Sequence, residues 1–199
     1  MSFSRDLSEF KLALNFKKEF HFNEIKQSNL NIYMQLADWL AMKAAVVSFK
    51  AISVERAGLK SVPEALKILF YHLLVRGVEH ENATGRAPLP RGIELWKDHE
   101  EIGSDKVFLA ELGDRLRTAS TARFGGKMEI GELEAVESED HLPLQIADLY
   151  TGCLNRLLNS EGGEGPKDRF SAHLLNLLGL PDGPQDQETE GGLALHVRL

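Results

Sequence analysis

Apolar residues recur at helical spacing at Leu7, Phe10 and Leu14, which predicts a short first helix. The chain then extends through FKKEFHFNEI, where alternation puts Glu19 and His21 on one face and Phe20 and Phe22 on the other. A second helix is expected over 28–42, with Ser28 as N-cap and Leu30, Tyr33, Met34, Ala37 and Leu40 facing inward. AAVVSFKAISV is rich in β-branched residues and has the length of a strand. Ser61 and Glu64 make a capping box around Pro63 and open the apolar helix EALKILFYHLLVRGV. The breaker HENATGRAPLPRG precedes a second strand, GIELWKD, and Ser104 opens a helix to about Ala119. After the Gly125–Gly126 turn, KMEIGELEAV alternates until Gly131, where the slip predicts a β-bulge. Pro143 starts the helix LQIADLYTGCLNRLL; a short helix over 167–178, with Phe170, Leu174, Leu177 and Leu178 at helical spacing, and a terminal strand LALHVRL follow. Alternating helices and strands imply an α/β fold with helices packed on a sheet.

Composition narrows this picture. The single cysteine, Cys153, excludes an intramolecular disulfide framework and any multi-cysteine metal site, and its apolar neighbours suggest a buried structural thiol. No apolar run approaches the roughly 20 residues that span a bilayer, and the polar start MSFSRDLSEF does not resemble a signal peptide. The expected setting is soluble and cytoplasmic, with no membrane partner. A formal charge of −7 argues against coating nucleic acid by bulk attraction, although metal ions would invert the field locally. Residues 160–190 hold seven acidic against two basic residues and most of the late Gly and Pro. The organisation is therefore taken as a main domain over 1–159 and, over 160–199, an acidic linker, a short helix and a terminal strand. No internal repeat is evident.

The familiar motifs are absent: no zincin helix, phosphate loop, nucleophile elbow or dinucleotide fingerprint. What remains is carboxylates at the ends of regular elements. Asp98 closes GIELWKD, the end of a strand where α/β proteins gather ligands, and an acid there suits Mg²⁺ or Mn²⁺ as well as it suits a solvated loop. The helical wheel puts Gln145, Asp148, Thr151, Gly152 and Asn155 on one polar side, opposite Ile146, Leu149, Tyr150, Cys153 and Leu157. Gly152 one turn beyond Asp148 leaves space beside the carboxylate that would suit a metal or a phosphate. Arg115, Arg117, Arg123 and Lys127 form the densest basic run, either a phosphate grip or a solvated helix end.

SEDHLPLQIADLYTGCLNRLL resembles the C-terminal signature of a bacterial and phage family labelled domain of unknown function 3800, a serine-containing loop followed by L-Q-x-A-D-L and a small-residue helix. KKEFHF resembles the family's internal K-E-x-K/H segment through Glu19 and His21, and GIELWKD its middle strand ending in aspartate, Asp98. The resemblance covers roughly residues 5–160. It implies a ribonuclease H-like mixed sheet flanked by helices and an acidic cluster of Glu19, Asp98 and Asp148 holding Mg²⁺ or Mn²⁺ against a phosphodiester. His21 or Gln145 would orient water or phosphate beside it. The family's opening D-E-S-G strand has no counterpart here, so the fold is expected to be truncated at its N-terminus, with self-association, a partner chain or the chain's own terminal LALHVRL completing the sheet.

Two functions follow as expectations. One is a divalent-metal-dependent nuclease acting on nucleic acid through Glu19, Asp98 and Asp148. The other is a non-catalytic α/β interaction subunit that keeps the fold.

Overall fold

A computed structural model describes residues 3–55, 57, 59–100, 102–159, 163–180, 187–188 and 193–198. The protein is of the mixed α/β kind that the alternating pattern predicts, with its strands in two small sheets. It divides into two compact units, one built from 1–51 and 139–198, the other from 52–138. Among the described residues, no helix is long and apolar enough to cross a membrane.

The first unit contains α1 (Phe3–Ala13), α2 (Leu30–Met42), the start of β1 (Phe49–Ser53), α5 (Leu142–Asn159), α6 (Pro166–Leu177) and the strands β4 (Gln187–Glu188) and β5 (Ala194–Arg198). Its sheet has the order β1-β5-β4, with β4 and β5 antiparallel. The helix spacing predicted above is what builds the core: Leu7 from α1, Tyr33, Leu36 and Leu40 from α2, Leu149 and Cys153 from α5, and Phe170, Leu174 and Leu178 at α6 all bury their side chains together. Phe16 stacks on Phe20 at 4.8 Å, Phe20 meets Tyr33 edge-on at 5.7 Å, and Tyr33 meets Phe170 the same way at 5.7 Å. Each such aromatic contact adds roughly 0.5–1.5 kcal/mol beyond burial. Lys43 at the end of α2 holds Asp6 of α1 at 2.6 Å.

Two expectations change here. The strand predicted over 44–54 is only Phe49–Ser53, and Lys43–Val47 instead form a turn in which Val46 and Val47 donate to the Lys43 carbonyl. β-branched residues need a pairing partner to stay extended, and the Phe49 N–H is where one arrives, donating to Leu193 O at 2.8 Å. α2 starts at Leu30 rather than Ser28, because Asn29 braces the turn before it: its Oδ1 accepts from Lys26 N at 2.8 Å and its Nδ2 donates to Glu24 O at 2.9 Å. The terminal strand appears as expected, with Ala194 and His196 buried. Of the acidic stretch, Glu161, Asp182, Asp186 and Glu190 lie outside the described residues.

The second unit contains α3 (Val62–Ala83), β2 (Arg91–Asp98), α4 (Ile102–Phe124) and β3 (Met128–Val136). Ser61 caps α3 by accepting from Glu64 N at 3.5 Å. β2 and β3 run parallel, and the register jumps from Ile93↔Ile130 to Leu95↔Leu133. Gly131 and Glu132 thus oppose one residue, the bulge predicted at this glycine, and a Cβ on Gly131 would press within 3.2 Å of the Ile93 carbonyl. α4 runs one turn past its expected end because Phe124 is buried with Leu112, Leu116 and Met128, and Ser120 Oγ donates to Met128 O at 2.6 Å. Gly125 and Gly126, at φ +59° and +77°, then turn the chain in a region that side chains disfavour.

Candidate functional site

α5 is amphipathic, and Asp148, Thr151 and Asn155 are exposed on its polar side as the helical wheel suggested, but Gln145 departs from that face. Gln145 is completely buried: its Oε1 accepts from Phe20 N at 3.0 Å and its Nε2 donates to Glu139 O at 3.2 Å. One turn on, Asp148 Oδ2 accepts from Phe22 N at 2.9 Å and lies 2.8 Å from His21 Nδ1. The segment 20–22 therefore lies along α5, stapled at both ends by the two polar residues of L-Q-x-A-D-L. Alternation in this segment is as predicted: Phe20 and Phe22 are buried, Glu19 and His21 half-buried. It is extended without being a sheet strand, and closes in a 3-10 turn over Phe22–Glu24.

Gly152 is explained by the same packing. The space beside it is not vacant for a metal or phosphate, because the Phe22 side chain fills it; a Cβ there would fall onto Phe22 Cγ and within 2.6 Å of Phe22 Cβ and Cδ1.

The bond to Asp148 assigns His21 a tautomer. A carboxylate only accepts, so Nδ1 must carry the proton in the 2.8 Å bond to Asp148, and the longer 3.4 Å approach of Asn23 N to the same nitrogen yields to it. In the neutral ring Nε2 is then the lone-pair nitrogen. Both side chains are 44% exposed, so the pair lies at the surface of the unit. The Tyr33 hydroxyl is pinned to the His21 backbone, donating to its carbonyl at 3.3 Å. Burial raises the Tyr33 phenol above its ordinary pKa, and the charges of Glu24, Asp148 and Glu19 act in the same direction. Those three carboxylates thus share one neighbourhood. Lys11, whose ammonium is disfavoured by burial, feels Glu19 as well.

Asp98 ends β2 in the second unit and is exposed, as predicted for the close of that strand. The basic run lies in that unit too, and three of its members are engaged. Arg115 sits 5.6 Å over the Tyr71 ring, Arg117 pairs with Asp114 at 2.8 Å, and Arg123 pairs with Glu79 at 2.7 Å. Arg115 and Arg117 point about 200° apart around the helix, and Lys127 lies beyond the glycine turn, so the four do not form one stripe. Among the described residues, no group of three or more His, Cys, Asp or Glu forms a ready-made metal cage.

Sequence reasoning missed a second aspartate–histidine pair. Asp38 Oδ1 and His173 Nε2 lie 2.7 Å apart, joining α2 to α6. Its signal was a short repeat: Gln35-Leu36-Ala37-Asp38 has the same Q-x-A-D form as Gln145-Ile146-Ala147-Asp148. Cys153 is buried, as expected of a structural thiol, and burial pushes its pKa up to about 12.

Compared with family models, curated proteins and solved structures, the chain matches none of them, and the functional reading rests on this geometry.

Proposed function

We propose that the protein is a divalent-metal-dependent phosphodiester hydrolase, related to the family labelled domain of unknown function 3800, with its active corner at Glu19, His21 and Asp148. The observation that carries this reading is the hydrogen bond that fixes His21. Asp148 orients the imidazole and leaves Nε2 as a base in a half-exposed corner. His21 Nε2 accepts the proton of the attacking water, and Asp148 stabilises the imidazolium that forms. Because Mg²⁺ keeps several waters and needs only one or two carboxylates, the absence of a three-ligand cage is compatible with a cation held by Glu19 and Asp148 Oδ1. When bound, such a cation would acidify water and offset phosphate charge. Asp98, the third carboxylate of the resemblance, carries no step here.

The test is hydrolysis of bis(p-nitrophenyl) phosphate and of single- and double-stranded oligonucleotides with Mg²⁺, with Mn²⁺ and with chelator. Activity should require metal, and His21→Ala and Asp148→Asn should each lower kcat by about 10²–10⁴-fold. Activity unchanged in both variants would overturn the proposal.

A second reading, the non-catalytic interaction subunit, is favoured by one observation: Gln145 and Asp148 both hold the segment 20–22 in place, a role that needs no chemistry. It predicts no hydrolysis with any cation, and variants that alter stability alone.

A further inference from the structure

We propose that Lys167 is the cation that positions a phosphate oxygen at the His21–Asp148 corner. This inference rests on the hydrolase reading for its substrate class, phosphate esters. Lys167 occupies the first turn of α6, and its side chain is half-buried. Its ammonium lies 5.5 Å over the Phe22 ring and 3.3 Å from Asn23 Oδ1. Both partners belong to the turn that carries the dyad: the Phe22 N–H donates to Asp148, and the Asn23 N–H faces the His21 ring. The Phe22 ring is itself held in the notch that Gly152 leaves in α5. The lysine is thus fixed beside the corner by α5, by the 3-10 turn and by α6 together.

Among the described residues its partners are neutral, as is the Gln27 partner of Arg169, whereas the nearby Lys26 and Arg156 are ion-paired. Lys26 pairs with Glu24 at 3.0 Å and Arg156 with Asp168 at 2.6 Å. Asp168, next in sequence to Lys167, cannot neutralise it. Oδ1 of Asp168 accepts from Arg156, and Oδ2 accepts from Arg156 at 3.2 Å and from Gly165 N at 3.1 Å. An amide oxygen and an aromatic face hold an ammonium in place without cancelling its charge. The corner therefore presents a carboxylate pair, an imidazole and, in Lys167, a cation with no ion-pair partner among the described residues, and a phosphate oxygen is the group that last element recognises.

The experiment is a titration of the metal-free protein with inorganic phosphate at constant ionic strength, followed through the His21 ring and Asn23 amide NMR signals. These signals should shift saturably in the wild type. Lys167→Gln should weaken the apparent Kd about tenfold or more, the cost of one charge-assisted hydrogen bond. Lys167→Arg should stay within about threefold, since it keeps the charge. Lys26→Gln, which removes a cation already paired, should change nothing. Lys167→Met, which keeps the stem over Phe22, replaces the glutamine variant if that one loses its amide dispersion. Equal affinity in the uncharged variants, equal loss in Lys26→Gln, or no saturable shift in the wild type would overturn the inference. Phosphate binding requires no turnover. Lys167-dependent binding without hydrolysis would overturn the catalytic reading alone, whereas hydrolysis with Lys167-independent binding would overturn this one.

Discussion

Gly152→Ala should destabilise the first unit although alanine is the better helix former. Replacing a helical glycine by alanine gains about 1 kcal/mol when nothing opposes it. Here the new methyl would lie within 2.6 Å of Phe22 Cβ and Cδ1, where carbon atoms prefer roughly 3.5–4.0 Å. The ring must retreat by about 1 Å, and its backbone resists, because Phe22 N is bonded to Asp148 and Phe20 N to Gln145. Overpacking of this kind costs about 3 kcal/mol at the upper end of its usual range, leaving a net loss of about 2 kcal/mol. In a Phe22→Ala background the obstruction is gone, so the same Gly152→Ala change should stabilise by about 1 kcal/mol. The coupling energy would then be about 3 kcal/mol, at the upper end of values for touching residues. The assay is urea unfolding followed by the fluorescence of buried Trp39, in a Trp96→Phe background so that one tryptophan reports. A Gly152→Ala protein as stable as wild type, or an equal effect with and without the Phe22 ring, would refute the packing argument.

Gln145→Leu keeps the volume but strands the buried Phe20 N–H, and should cost about 1–3 kcal/mol, read by the same unfolding curves; the carbonyl of exposed Glu139 can turn to water instead. The hydrogen bond from Arg156 holds the Asp168 carboxyl below its ordinary pKa, so the stability it contributes is complete above about pH 4 and disappears as pH falls through the depressed value. Acid unfolding of Asp168→Asn should therefore lack that component and match wild type only at the acid end of the titration. Burial raises the Cys153 thiol to about 12, so a disulfide reagent at pH 8 should label it only after denaturant is added; rapid labelling of the native protein would contradict the packing of α5.

Helical periodicity placed Leu7, Tyr33, Leu149 and Phe170 in the core because each projects from a regular helix with one apolar face, and that pattern is local. The bulge at Gly131 was equally legible, since a slip in alternation is written along one strand. What the pattern could not convey is which surface another segment would cover. A helical wheel assigns Gln145 to the polar side, and nothing near it in sequence reveals that Phe20, 125 residues away, would cover it and use its amide oxygen. Gly152 looked like free space for the same reason, its occupant being a distant phenylalanine. The strand over 44–54 was drawn too long because β-branched residues report a preference, whereas extension in a protein depends on a partner strand. The His21–Asp148 pairing was anticipated only as membership of one site. Its reciprocal geometry and the placement of Lys167 depend on contacts between segments far apart in the chain.

The central claim is that the corner formed by Glu19, His21 and Asp148 takes a divalent cation. It is tested most directly by titrating the isotopically labelled protein with trace Mn²⁺ and mapping which backbone amides broaden. The account predicts that broadening centres on residues 19–23 and 148 and disappears from them in Asp148→Asn. Broadening centred elsewhere, such as on the mutually bonded carboxylates Glu132 and Glu134 of β3 in the second unit, or none above that of a non-binding control, would contradict it.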